Sequence, residues 1–159
     1  QDIENQDRKY ELRNLDGGIL VQQENNDILT IDELKVVTNT KPTEDTIKSM
    51  LFGWQVLKHV KSNAIITVKD NTTVGIGAGQ VSRIDAVDIA ISKSKSAIKG
   101  SILCSDAFFP FRDSIDKISQ YNINGVIQPG GSIKDNEVID ACNEHNIPMV
   151  FTGRRCFKH

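Results

Sequence analysis

A chain of 159 residues with 19 Lys and Arg against 21 Asp and Glu has a formal net charge of −2, which excludes the concentrated basic footprint of a nucleic-acid binder. At this length roughly two thirds of the unfolded surface can be buried, so a real core is expected without disulfide or metal staples. No apolar run approaches the ~20 residues that span a bilayer, and no secretory apolar segment opens the chain.

The three cysteines, Cys104, Cys142 and Cys156, are too few and too scattered for a disulfide framework. An odd count without a signal peptide favours a reducing, cytoplasmic compartment. Cys104 and Cys142 read as small core residues, and Cys156 as the one that can be exposed. The chain starts at Gln1 rather than Met, so a fragment or a processed product is expected.

In chain order, residues 1–40 are polar and are expected to form an irregular linker. Asp16-Gly17-Gly18 turns the chain into a short strand at Gly18–Val21, and Asn25-Asn26-Asp27 turns it again. The main domain is expected over 41–159. Thr43, followed by Glu44 and Asp45, starts a helix, since a hydroxyl caps the first amides and acids favour the positive end of the dipole. Ile47, Met50, Leu51, Trp54 and Leu57 keep helical spacing.

The period then changes. Ala64–Val68 is β-rich, Lys69–Thr72 turns, and Thr73–Ile76 returns, which predicts a hairpin. Gly77–Gln80 breaks the strand. Ser82 caps a second helix carrying Ile84, Val87, Ile91 and Ile98, and Gly100 ends it. A buried strand at Ile102–Cys104, a helix near Asp113–Tyr121 and a strand at Gly125–Ile127 follow. Ser132 and Asp135 resemble a capping box before Val138, Ile139 and Cys142. Met149–Phe151 is the last strand. Strands alternating with helices predict an α/β fold, a three-layer α/β/α sandwich with a mixed, largely parallel sheet and an N-terminal hairpin at its edge. The same order matches the cytidine-deaminase-like fold.

Ligands of open α/β sheets bind beyond the carboxyl ends of the strands. Gly75–Arg83 falls at such an end. It is either an anion-binding turn with Arg83 as a planar fork, or a tight strand-to-helix turn with a solvated arginine. Ser105–Asp113 carries Phe108, Phe109 and Phe111 around Pro110. These rings are either a stacking wall for a flat heterocycle or a plug in the sheet end. Gln128–Ile133 has glycines that let a ligand approach the backbone, or is an ordinary connection. Arg154-Arg155-Cys156-Phe157-Lys158-His159 leaves the last strand as a basic tail. Lys58-His59 reads as cations at a helix carboxyl end rather than a proton-transfer pair. The His-x-Glu and Pro-Cys-x-x-Cys signature of zinc deaminases is missing from the sequence, so no zinc site is expected.

Five motifs occur in order: Lys61-Ser62-Asn63-Ala64, Gly75–Gln80 with Ser82-Arg83, Ser105–Asp113, Gln128–Ser132, and Arg155–His159. From about Glu11 onward they resemble the formyltransferase domain of the bifunctional purine-biosynthesis family, in particular the second of its two deaminase-like halves. The resemblance implies transfer of a formyl group from 10-formyltetrahydrofolate, the co-substrate, to 5-aminoimidazole-4-carboxamide ribonucleotide (AICAR). It implies nucleotide contacts at Asn63, Arg83, Phe108 and Arg155, and folate contacts at Ile84, Asp113, Ser132 and Ile133. It also implies a monovalent cation, potassium, near Ser62, Asp106 and His159. The family's catalytic Lys-His pair lies in a first half that this chain lacks, so Lys58-His59 does not inherit the role and the isolated chain is expected to be inactive. The expected partners are the rest of the bifunctional protein, whose N-terminal domain cyclises the product to IMP, and a second copy in a homodimer. Nucleic acid and membrane are not expected partners. The competing readings are a nucleotide- or folate-binding module without chemistry and a dimerisation half-domain.

Overall fold

The computed structural model describes residues 10–159. The opening of the 1–40 segment therefore lies outside the described residues. Strands β1 (Tyr10–Leu15) and β2 (Gly18–Gln23) form a separate antiparallel hairpin. The turn at Asp16–Gly17 stands where the sequence placed it, with Gly17 at φ +77°. The first arm, β1, stands where irregular chain was expected. A short 3-10 turn (Ile31–Glu33) and β3 (Lys35–Val36) were also not legible beforehand.

Helix α1 (Glu44–Leu57) begins as the sequence predicts, with the Thr43 hydroxyl accepting the Thr46 amide. Strands β4 (Ile65–Lys69) and β5 (Thr72–Gly77) form the expected hairpin. Helix α2 (Arg83–Ser94) is capped by Ser82, but it stops at Ser94. The expected continuation toward Gly100 is a 3-10 stretch, Lys95–Ile98. Then follow β6 (Ile102–Ser105), α3 (Asp113–Ser119), β7 (Gly125–Gln128), α4 (Asp135–Glu144) and β8 (Met149–Phe151). The capping box before α4 is half formed. Asp135 accepts the Ser132 amide, while the Ser132 hydroxyl accepts the Lys134 amide and not that of residue 135.

The main sheet has the order β3-β8-β7-β6-β4-β5. Strands β6, β7 and β8 are parallel, and β4 is antiparallel to both β5 and β6. The expected antiparallel hairpin edge is thus present, and β3 adds a second antiparallel edge beside β8. The sheet is therefore mixed but not largely parallel: three of its five pairings are antiparallel, because β4 runs against β6 as well as β5. Alternate residues of each strand serve opposite layers. Ile65, Leu103, Val126 and Met149 pack with Ala86, Val87 and Ala90 of α2, Ile115 and Ile118 of α3, and Val138 and Ala141 of α4. Ile66, Cys104, Ile127 and Val150 pack with Met50, Trp54 and Leu57 of α1 on the other face. That is a three-layer arrangement, with each large buried apolar side chain worth about 1.5–3 kcal/mol relative to exposure.

Two features of the register place the site. Ile65 pairs with both Gly77 and Ser105, and Gln128 pairs with Phe151. The chain entering β4 and the chain leaving β5, β6, β7 and β8 therefore gather at one end of the sheet. At Gly77 a Cβ would collide with the Ala86 carbonyl, so glycine is what lets α2 close onto β5.

Candidate functional site

The centre of this end is Asp106. Its side chain is 0% exposed and faces that of Arg83, which is 7% exposed. Arg83 Nη1 donates to an Asp106 carboxylate oxygen at 2.6 Å and to Ser105 Oγ at 2.8 Å. The other Asp106 oxygen accepts from Ser62 Oγ at 2.5 Å and from the Ala64 amide at 3.0 Å. A carboxylate out of water needs this compensation, because an unpaired buried charge costs several kcal/mol.

Arg83 Nη2 donates to Asn63 Oδ1 at 2.9 Å. Asn63 Nδ2 donates to the carbonyls of Gln80 and Val81, and the Asn63 and Gln80 backbones exchange two hydrogen bonds at 3.3 Å. The Asn63 amide is therefore held at both ends, yet its oxygen keeps one lone pair for a further donor. The solvated-arginine reading of Arg83 is corrected by this burial. Two of the Arg83 nitrogens already donate to protein acceptors.

The aromatic segment divides. Phe109 is fully buried and part of the core, while Phe111 is exposed. Phe108 is half-buried, and the Arg155 guanidinium lies over its ring at 5.0 Å from the centroid. Arg155 also lies 5.7 Å from the Phe157 ring centroid. The plug reading of the rings thus holds for Phe109 and fails for Phe111. The fully buried Gln128 fixes the segment from below, its Oε1 accepting the Phe109 amide at 2.9 Å. Sequence reasoning gave Gln128 no role of its own. A buried amide just before Pro-Gly-Gly was the available signal.

Asp113 is exposed at the first turn of α3 and accepts the Ser114 amide. Ile84 is half-buried next to Arg83 on α2, and Ser132 is half-buried in the loop before α4. Ile133 is fully exposed. Of the glycines beneath this loop, Gly130 has φ +72° and leaves no room for a Cβ beside the Phe151 ring.

The C-terminal tail folds back over the site. The Cys156 amide donates to the Asp106 carbonyl, and Ser62 and Lys158 exchange two hydrogen bonds. Cys156 was the cysteine that could have been exposed. It is 1% exposed, packed with the α1 layer, and burial pushes its thiol up. Burial also pushes the Cys142 thiol up to about 12, so neither is poised as a nucleophile.

The three residues expected near a cation each have protein partners. Ser62 Oγ donates to Asp106 and accepts the Lys158 amide, Asp106 is taken by Arg83, Ser62 and Ala64, and the His159 amide goes to Gln22. Among the described residues no three His, Cys, Asp or Glu side chains gather as a metal-binding group. Lys58 reaches the Asp27 carbonyl at 3.2 Å and His59 is exposed, at the end of α1.

A family model described as the AICARFT/IMPCHase bienzyme matches residues 1–93. "Bifunctional purine biosynthesis protein PurH" of Persephonella marina is 52% identical over 99% of this chain, which covers 31% of that protein. The protein of the same name from Aquifex aeolicus is 50% identical over 94% of this chain and 30% of its own length. The chain thus spans about 30% of these curated relatives. Among solved structures, Acinetobacter baumannii RibD, form 1, aligns with a TM-score of 0.44 at 14% identity, covering 68% of this chain and 34% of that one.

Proposed function

The chain belongs to the AICARFT/IMPCHase bienzyme family, and from that premise we propose that it supplies one wall of the formyl-transfer site of a longer purine-biosynthesis enzyme. The nucleotide AICAR lies against Asn63, Phe108 and Arg155. Phe108 stacks on the imidazole, the remaining lone pair of Asn63 Oδ1 accepts from the carboxamide, and Arg155 takes the phosphate. Ile84, Asp113, Ser132 and Ile133 face 10-formyltetrahydrofolate.

The observation that carries this reading is the Arg155–Phe108 pair, a planar cation over an aromatic face at the carboxyl end of the sheet. It also divides the work of the two arginines. Arg83 is buried and committed to Asp106, so it shapes the site, while Arg155 is exposed and able to meet an anion.

In the reaction the 5-amino nitrogen of the ribotide attacks the formyl carbon, the bond from that carbon to N10 of the folate breaks, and the proton lost by the amine is delivered to N10. This chain binds and orients the two substrates. The groups that move the proton, the ring closure to IMP and the second copy of a homodimer belong to the rest of the longer protein.

The test is steady-state formyl transfer by the longest polypeptide the gene encodes. Arg155→Ala should raise KM for AICAR about 10- to 100-fold, the worth of a charged hydrogen-bond contact, with KM for the folate little changed. An unchanged KM for AICAR would remove Arg155 from the nucleotide site. The isolated 159-residue chain should show no formyl transfer, and turnover by it would place the proton-moving groups inside it.

A further inference from the structure

We infer that the N-terminal hairpin is a clamp for the C-terminal tail, and that Gln22 is a positioning residue that holds Arg155 against Phe108. The inference rests on the reading that Arg155 meets the nucleotide.

Gln22 lies in β2 and is half-buried. Its Nε2 donates to the Phe157 carbonyl at 2.5 Å, and its Oε1 accepts the His159 amide at 3.0 Å. One side-chain amide thus serves the backbone on both sides of Lys158, as a neighbouring strand would. Glu11 stands directly opposite Gln22 in the hairpin register. Its carboxylate accepts Lys158 Nζ at 2.5 Å, and that contact holds the Glu11 carboxyl below its ordinary range.

On the opposite flank, Ser62 donates its amide to the Lys158 carbonyl at 2.8 Å and accepts the Lys158 amide at 3.1 Å. The tail is therefore gripped between the hairpin and the segment that enters β4.

The consequence falls on Arg155. Its guanidinium sits between two rings, Phe108 from the site and Phe157 from the tail. Phe157 is the residue whose carbonyl Gln22 holds. Without that bond the carbonyl turns to water, the Phe157 ring loosens, and Arg155 loses one of its two aromatic supports. Only an amide does this work, since it offers a donor and an acceptor on one planar group. A glutamate keeps the His159 bond but sets a carboxylate oxygen against the Phe157 carbonyl.

The experiment is a double-mutant cycle in the longest polypeptide the gene encodes, read by formyl-transfer kinetics with AICAR and by amide hydrogen exchange of Phe157, Lys158 and His159. Gln22→Ala should raise KM for AICAR roughly fivefold, the worth of one or two net hydrogen bonds, and change kcat less than about twofold. It should also speed exchange at the His159 amide, which Gln22 accepts, and at the neighbouring Lys158 amide. Phe157, whose amide makes no hydrogen bond among the described residues, is the internal reference. In the Arg155→Ala background it should add nothing to KM, because both changes act through one group. Gln22→Glu should raise KM at least as much as Gln22→Ala, since it loses the Phe157 bond and adds repulsion there. Additive effects on KM, or unchanged tail exchange in Gln22→Ala, overturn the clamp. If Arg155→Ala itself leaves KM unmoved while Gln22→Ala still speeds exchange, the clamp stands and the nucleotide reading fails.

Discussion

Arg83 and Arg112 invite comparison. Arg83 is the first residue of α2 and Arg112 stands immediately before α3, and each grips carboxylates from elsewhere in the chain. Their surroundings differ. The Arg83 and Asp106 side chains are 7% and 0% exposed. Arg112 is 36% exposed and faces Asp116 at 41% and Glu144 at 57%. Water can replace every partner of Arg112 and none of the partners of Asp106. The same chemistry is therefore architecture in one place and surface decoration in the other.

The sharpest way to break the comparison is to remove the buried carboxylate. Asp106→Ala leaves the Arg83 guanidinium buried without its counter-charge and frees Ser62 and the Ala64 amide. It should destabilise the protein by about 3–5 kcal/mol, read from urea unfolding of the longest polypeptide the gene encodes. Arg83→Met combined with Asp106→Leu removes both charges and should recover part of that loss, the share due to the unpaired charge, while the buried Ala64 amide still lacks its acceptor. A loss below about 1 kcal/mol for Asp106→Ala would put the two networks in the same class.

This contrast also shows where the sequence is legible. Local chemistry was read correctly at several points where neighbours in the chain decide it. Thr43 and Ser82 cap α1 and α2, and the turn between β4 and β5 is where Lys69–Thr72 placed it. Failures occur where the deciding partner is distant. Arg83 looked like a solvated fork because Asp106 lies 23 residues away. The first strand of the hairpin was missed because its anchored face is polar. Glu11 and Gln22 meet tail residues 147 and 135 positions on, and no apolar periodicity reports such contacts. Tyr10, Leu12, Ile19 and Val21, its apolar face, are exposed. Cys156 looked exposed because it is near the chain end, yet the tail returns it to the α1 layer. The family motifs fall at strand ends, which the fold gathers at one end of the sheet. They could not show that Arg83 is held internally while Arg155 is free.

At the surface network, Arg112→Ala should cost less than about 1 kcal/mol, and the cost should shrink in high salt. Arg112 pairs with Asp116 through two hydrogen bonds of 2.8 and 2.9 Å, and reaches Glu144 at 2.5 Å. Good geometry is thus not lacking. A cost comparable to that of Asp106→Ala would mean that geometry, not burial, sets the worth of these pairs.

The smallest effect separates the networks by pH. The Asp116 carboxyl is held at about 2, below its ordinary value of 3.8, by hydrogen bonds from Arg112 first and His145 second. The sign follows from linkage. A carboxyl whose pKa is lower in the folded state contributes stability above its unfolded value and loses it as pH falls through the folded one. The contribution should be complete above about pH 4 and disappear between about 4 and 2. Because these groups are open to solvent, its size is small, so the measurement is the titration itself: the carboxyl carbon resonance of Asp116 followed by NMR at low and high salt. The midpoint should sit near 2 at low salt and climb toward 3.8 as salt screens Arg112, and Arg112→Ala should raise it further than His145→Ala. A midpoint that ignores both salt and Arg112 would show that the surface network is sheltered from solvent after all, and would leave burial unable to account for the difference between the two arginines.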